Sequence, residues 1–294
     1  MLSTVWQGMR RERWAYVFLA LPIARFLLFR LYPILQAIYL SFVNFNIWGN
    51  TWVGLANFQA VAKDELFWQA MRNTAYYTVT TVPLSLVIAF FLSFLIFPLG
   101  SRTASFFKSA YYLPNVASAA VLSLVWLWLF EPRFGLLNYL LSFVGATRVY
   151  WLGDVKVAMN ALVMMNLASG HGYSIILITA AMGGIPSSIY EAARLDGADR
   201  WHQFWRITLP LLKPITLYLL VIDTIGSFQV FTNIYIMTRG GPANATMTVV
   251  YLIFRTAFDF FSYGPASAQA MALFVVILVM AFAQYRWLGT DVEY

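Results

Sequence analysis

The chain has 294 residues, 61% of them hydrophobic and only 11% charged, with a formal net charge of +7. A water-soluble domain carries roughly 25% charged residues, so this composition excludes an ordinary soluble globule and implies an integral membrane protein. Cysteine is absent, which excludes disulfides, thiolate metal sites and cysteine nucleophiles; the two histidines, His171 and His202, have no metal-ligand spacing, and the basic residues form no aromatic-interleaved patch for nucleic acid.

In chain order, Arg10-Arg11-Glu12-Arg13 precede an apolar run without a short signal-type core or a small-residue cleavage site, so the run from Trp14 to Leu40 is read as an uncleaved first span. Arg25 and Arg30 lie within it, and each costs about 2.5–3.5 kcal/mol at a helix centre on insertion scales. Either they face a water-filled path, or Arg30 snorkels outward while Arg25 meets a partner. Five more apolar stretches are long enough to cross a bilayer: Asn73 to Phe97, Ala110 to Phe130, Val157 to Ala181, Ile215 to Met237 and Ala268 to Trp287. Backbone groups in lipid must pair within their own segment, so these spans are helices, and the alternation of a membrane barrel is missing. Pro22, Pro33, Pro83, Pro98 and Pro114 mark kinks or helix starts. The segments Ser41 to Arg72, Glu131 to Lys156 and Thr238 to Ser267 are long for plain turns and are expected to form short surface helices or loops. Six spans put both termini on one side. Placing the N-terminus inside gives ten basic residues there against seven outside, so both termini are expected in the cytoplasm.

A charged island interrupts this pattern between the fourth and fifth spans. Pro186 suits a first turn, Ser187 or Ser188 can cap it, and Glu191 lies near the positive end of the helix dipole. Gly197 permits a bend, and a second helix is expected from Ala198 or Asp199 to Leu209, ending at Pro210. Phe204, Ile207 and Leu209 recur at helical spacing and can anchor the unit to its own spans. Spacing alone fits equally a helical knob gripped by a partner and an amphipathic loop without one.

The run Glu191-Ala192-Ala193, Asp196-Gly197-Ala198, Phe204, Ile207 and Leu209-Pro210, with Pro186 before it and Pro214 after it, resembles the EAA loop of ABC-importer permeases. Leu113-Pro114, Trp126, Trp128, Gly135-Leu136-Leu137-Asn138, Phe228-Gln229, Ile234-Tyr235, Thr238-Arg239-Gly240-Gly241-Pro242 and Ala266-Ser267-Ala268 are similar to the carbohydrate and glycerol-phosphate branch of that family, as are Tyr32-Pro33 and Asn57-Phe58. Arg25 and Arg30 depart from it.

The resemblance implies an all-α polytopic membrane protein of six transmembrane helices with the type I ABC importer permease fold. Residues 1–68 would hold the N-terminal tail, first helix and outer segment. Residues 69–287 would form the transmembrane domain, with its coupling loop at 185–214, and 288–294 a cytoplasmic tail. It implies a bacterial or archaeal inner-membrane location and no chemistry on the solute. Its implied partners are a second permease subunit (identical or homologous), two ATPase subunits and an extracytoplasmic binding protein. The chain has no G-x-x-x-x-G-K-[ST] phosphate loop, so no cofactor is expected on it, and ATP and magnesium belong to the ATPase. Coupling is assigned to Glu191, Ala192, Ala193, Asp196, Gly197 and Ala198. The solute path is assigned to Asn115 and Ser118 in the third span and to Asn166, Ser169, Gly170 and Tyr173 in the fourth. Ser227, Gln229 and Asn233 complete it from the fifth. Polar groups inside spans are costly against lipid, and these suit a sugar, oligosaccharide, polyol or glycerol-phosphate compound; for each, an interhelical hydrogen bond is the competing role. Two other classes remain: a self-contained secondary transporter or channel, which leaves the Glu191 loop unexplained, and a membrane enzyme, for which no convergent acid, base or metal set is visible.

Overall fold

The computed structural model describes residues 13–46 and 49–289, and these are mostly helical. Four described helices are long and apolar enough to span a bilayer, and two further bent pairs bring the total to six if each pair counts as one span. The chain divides into two units, residues 1–63 with 256–272 and residues 64–255 with 273–294.

In the first unit, α1 (Arg13–Phe26) and α2 (Tyr32–Ser41) join through a π-helical turn, Leu27–Leu31. Pro33 stands at the start of α2 and has no N–H to give, and the helix widens in the turn before it. Between Val17 and Leu40 nearly every side chain is exposed, the state suited to hydrocarbon. The next segment departs from the expected helices and loops. Strands β1 (Val43–Asn46) and β2 (Gly49–Trp52) form an antiparallel hairpin in the register Val43↔Trp52, Phe45↔Asn50. Val43, Phe45, Thr51 and Trp52 are strand formers, and Trp52 stacks on Phe42 at 5.5 Å. Helix α3 (Ala56–Lys63) is tied back by Asn57, whose Nδ2 donates to the carbonyls of Ser41 at 3.0 Å and Val43 at 3.1 Å. Gly264 closes against the same strand: a Cβ there would lie 2.3 Å from the Val43 carbonyl oxygen.

The second unit is built around α4 (Glu65–Ile96). It begins eight residues before the expected Asn73, because Asp64 accepts the Leu66 N–H at 2.9 Å as an N-cap. Its apolar face packs Val82, Leu86, Ala89 and Phe90 against Ile175, Ile178 and Met182 of α9 (Gly172–Gly183) and Leu219 of α13 (Lys213–Phe228).

The third expected span, Ala110 to Phe130, is not one straight helix. α5 (Ser101–Val116) and α6 (Ala119–Leu129) meet at 95°. Pro114 removes a donor in the last turn, Ala117 turns extended, and Ser118 caps a new helix by accepting the Val121 N–H at 3.3 Å. The fourth span also bends, by 45°, between α8 (Ala158–Ser169) and α9. α13 breaks at Gln229 and resumes as α14 (Thr232–Met237). The segments after α6 and α14 carry the short helices α7 (Leu136–Phe143) and α15 (Val249–Phe254), as expected. The last helix, α16 (Tyr263–Leu288), covers the sixth expected span, and its residues are divided between the two units.

Candidate functional site

Two features of the second unit stand out: an exposed helical knob and a polar cavity.

The knob starts at Ile185, where Pro186 and not a serine takes the N-cap position with φ −56° and ψ 133°. Ser187 is already helical, so the expected serine cap is absent. Helix α10 (Ser187–Leu195) closes on a Schellman motif: the Ala198 N–H donates to the Ala193 carbonyl at 2.9 Å and the Gly197 N–H to Arg194 at 3.1 Å. Gly197 sits at φ +81°, which a side chain opposes. The chain restarts at Asp199, whose Oδ1 accepts the His202 N–H at 2.7 Å and lies 2.8 Å from the His202 ring Nδ1. These contacts, the backbone one foremost, hold the Asp199 carboxyl below the usual carboxylate range.

The second limb differs from the single helix expected. α11 (Arg200–Gln203) passes into a π turn, Phe204–Thr208, and then α12 (Leu209–Leu211). The widened turn accommodates Pro210, which lacks an N–H, so the chain turns at Leu212 and not at Pro210. This limb is anchored. Phe204 is 8% exposed and meets Phe94 of α4 with ring centres 4.8 Å apart, and the Tyr190 and Thr208 hydroxyls are 3.0 Å apart. The outer face of the first limb is bare. Glu191, Ala192, Asp196 and Gly197 are exposed, Ala193 and Ala198 half-buried, and Leu195 is 91% exposed. A rigid apolar tip on an anchored base can transmit a push from whatever grips it.

The cavity has a volume of about 410 Å³ and lies between α4, the α8–α9 bend and the break in α13. Four residues of the expected path line it together: Asn166, Gly170, Ser227 and Asn233. Ser227 Oγ donates to Thr78 Oγ1 at 3.0 Å and stands 3.2 Å from Thr81 Oγ1, while Asn233 Oδ1 accepts from Ser123 Oγ at 3.1 Å. The Asn166 side chain meets the Tyr77 hydroxyl. Five others lie outside this lining. Ser169 Oγ accepts the Trp126 indole N–H at 3.0 Å, Ser118 caps α6, and the Tyr173 and Tyr218 hydroxyls are 3.1 Å apart. Asn115 is exposed before the 95° bend and Gln229 is exposed just after α13. His171 is buried and its ring Nε2 meets the Leu167 carbonyl, a packing contact.

The α4 wall of the cavity, Tyr77, Thr81 and Ser85, was not foreseen. Its signal was the spacing of Thr74, Thr78, Thr81 and Ser85 along one helical face.

Comparisons with known proteins agree with this geometry. A family model described as the binding-protein-dependent transport system inner membrane component matches residues 12–293. The chain is 32% identical to the probable ABC transporter permease protein YesP of Bacillus subtilis (strain 168), over 98% of this chain and 94% of that protein. It is also 32% identical to the sn-glycerol-3-phosphate transport system permease protein UgpA of Agrobacterium fabrum, over 95% of this chain and 96% of that one. Among solved structures it resembles a bacterial ABC transporter involved in the import of the acidic polysaccharide alginate, with a TM-score of 0.87 and 25% identity over 99% of this chain and all of that one. A second structure of a bacterial alginate transporter, in complex with an alginate pentasaccharide-bound periplasmic protein, matches with a TM-score of 0.86 and 25% identity over 98% of this chain and 99% of that one.

Proposed function

The chain belongs to the family of binding-protein-dependent transport system inner membrane components, and from that premise we propose how it works as the permease subunit of an ABC importer. It pairs with a second, homologous permease subunit and is driven by two ATPase subunits that grip the knob at Glu191–Ala198. The solute is a sugar, oligosaccharide or related polyol or glycerol-phosphate compound handed over by an extracytoplasmic binding protein, and it passes the cavity beside Asn166, Ser227 and Asn233. ATP and magnesium stay on the ATPase, in keeping with the lack of a phosphate loop in this chain. The translocating domain is residues 69–287, preceded by the first helix and followed by a short tail, and both termini face the cytoplasm of a bacterium or archaeon.

One observation carries the coupling role: an exposed, apolar-tipped helix, held in shape by a Schellman turn, stands on a limb bolted to α4. ATP binding and hydrolysis would move the ATPases, tilt the knob and bias the spans between two global states. The resemblance to a solved importer bound to its periplasmic protein supports the delivery step.

The test is copurification from cells that express the chain, tagged, with its neighbours. An ATPase should come down with it and hydrolyse ATP faster when loaded binding protein is added. A complex that transports solute with no ATPase attached would contradict the proposal and favour a self-contained transporter.

A further inference from the structure

The cavity in the second unit carries one full charge. Asp223 lines it from α13, is half-buried, and makes no hydrogen bond or ion pair among the described residues. A carboxylate within a membrane span is costly unless something completes it. The remaining polar lining is neutral: Tyr77, Thr81, Ser85, Asn166, Ser227 and Asn233 supply hydroxyls and amides, and among the described residues no lysine, arginine or histidine lines the cavity.

A carboxylate only accepts hydrogen bonds. Whatever sits beside Asp223 must therefore donate, and a phosphate or carboxylate there would meet a like charge with no cation on this wall to offset it. A pair of neighbouring hydroxyls fits two carboxylate oxygens. Phe231, also in the lining, stacks on Tyr235 with ring centres 5.4 Å apart and offers an apolar face for the C–H side of a sugar ring. We propose that Asp223 sets the charge selectivity of the path: it receives the hydroxyl hydrogens of an uncharged polyhydroxy solute and turns away anionic ones. The inference rests on the permease reading above and narrows its solute class.

The test uses intact cells expressing the whole transporter, offered radiolabelled lactose, maltotriose, sn-glycerol 3-phosphate, trigalacturonate and spermidine. Wild type should take up an uncharged glycoside. Asp223→Asn should raise the half-saturating concentration about tenfold or more with the yield of assembled complex unchanged, and Asp223→Glu should recover part of the loss. Wild-type uptake of the phosphate, the galacturonate or the amine would overturn the inference, as would an Asn variant with wild-type saturation. If Asp223→Asn fails to assemble, the wild-type panel alone decides. Energised uptake of an anionic solute would leave the permease reading standing, whereas energised uptake by a complex without an ATPase would remove that reading and this inference together.

Discussion

Gly197 is the hinge of the coupling argument, and its cost of substitution can be worked out from the backbone alone. The residue sits at φ +81° and an added Cβ would meet no atom within 4 Å. Gly197→Ala therefore introduces no clash, and the whole penalty is that of a left-handed backbone on an L-residue, roughly 1–2 kcal/mol. The turn bonds from Ala198 to Ala193 and from Gly197 to Arg194 then compete with a relaxed loop, and the native knob loses a factor of roughly 5–30 in population. Asparagine tolerates this region best after glycine and β-branched residues tolerate it least. Stimulated ATP hydrolysis in proteoliposomes should thus fall in the order Gly, Asn, Ala, Val at position 197, with assembled complex recovered in each case. Gly183→Ala is the control, because Gly183 has no positive φ and equally open space around its Cβ position. Four equal activities, or a loss at Gly183→Ala as large as at Gly197→Ala, would show that the left-handed backbone at Gly197 does not matter to coupling.

Gly172 makes the opposite case. A Cβ there would lie 2.4 Å from the Tyr111 carbonyl oxygen and 2.4 Å from the Tyr112 Cα, so α5 and α9 must part to admit it. Gly172→Ala should destabilise the second unit by about 1–3 kcal/mol, as overpacking does, and lower the midpoint of thermal inactivation in detergent; an unchanged midpoint would contradict that close approach. At the knob, His202 holds the Asp199 carboxyl below its ordinary value. A depressed carboxyl contributes stability above its unfolded pKa of about 4, and that contribution is lost as pH falls through the lower folded value. Amide exchange at His202, corrected for its intrinsic rate, should keep constant protection from pH 7 to 5 and lose it in more acidic buffer, while Asp199→Asn removes the pH dependence. Loss of protection already above pH 5 would contradict the role given to the Asp199 carboxyl.

The parts of this molecule legible in the sequence are those where chemistry and periodicity agree. The spans announce themselves by length and apolarity, and the knob by its acidic and basic residues in an apolar chain, with Gly197 marking the bend. Other features depend on what the chain meets in three dimensions. Pro114 read as a kink or a helix start within one span; the size of the bend, 95°, needs the extended Ala117 and the Ser118 cap together. The Val43–Trp52 hairpin was hidden because four-residue strands carry too few alternations to stand out among aromatics. The cavity was half legible. Asn166, Ser227 and Asn233 stood out as amides and a hydroxyl within apolar runs, whereas Thr81 carries no such signal, because a threonine hydroxyl in a span can be satisfied by its own helix. Its Oγ1 does donate to the Tyr77 carbonyl at 2.7 Å while also facing Ser227 across the cavity. Asp223 is half-buried, and only the neutral lining around it in the folded chain gives its carboxyl a meaning.

The most direct test of the coupling claim exploits the absence of cysteine from the chain. Ala193→Cys places a single thiol on the knob, to be probed with a membrane-impermeant maleimide in intact cells and in inside-out vesicles, before and after the ATPase subunits are stripped. A knob gripped by the ATPases should show no labelling from outside, little in the intact complex from inside, and strong labelling from inside once the ATPases are gone. Labelling of intact cells, or equal labelling of vesicles with and without the ATPases, would contradict it.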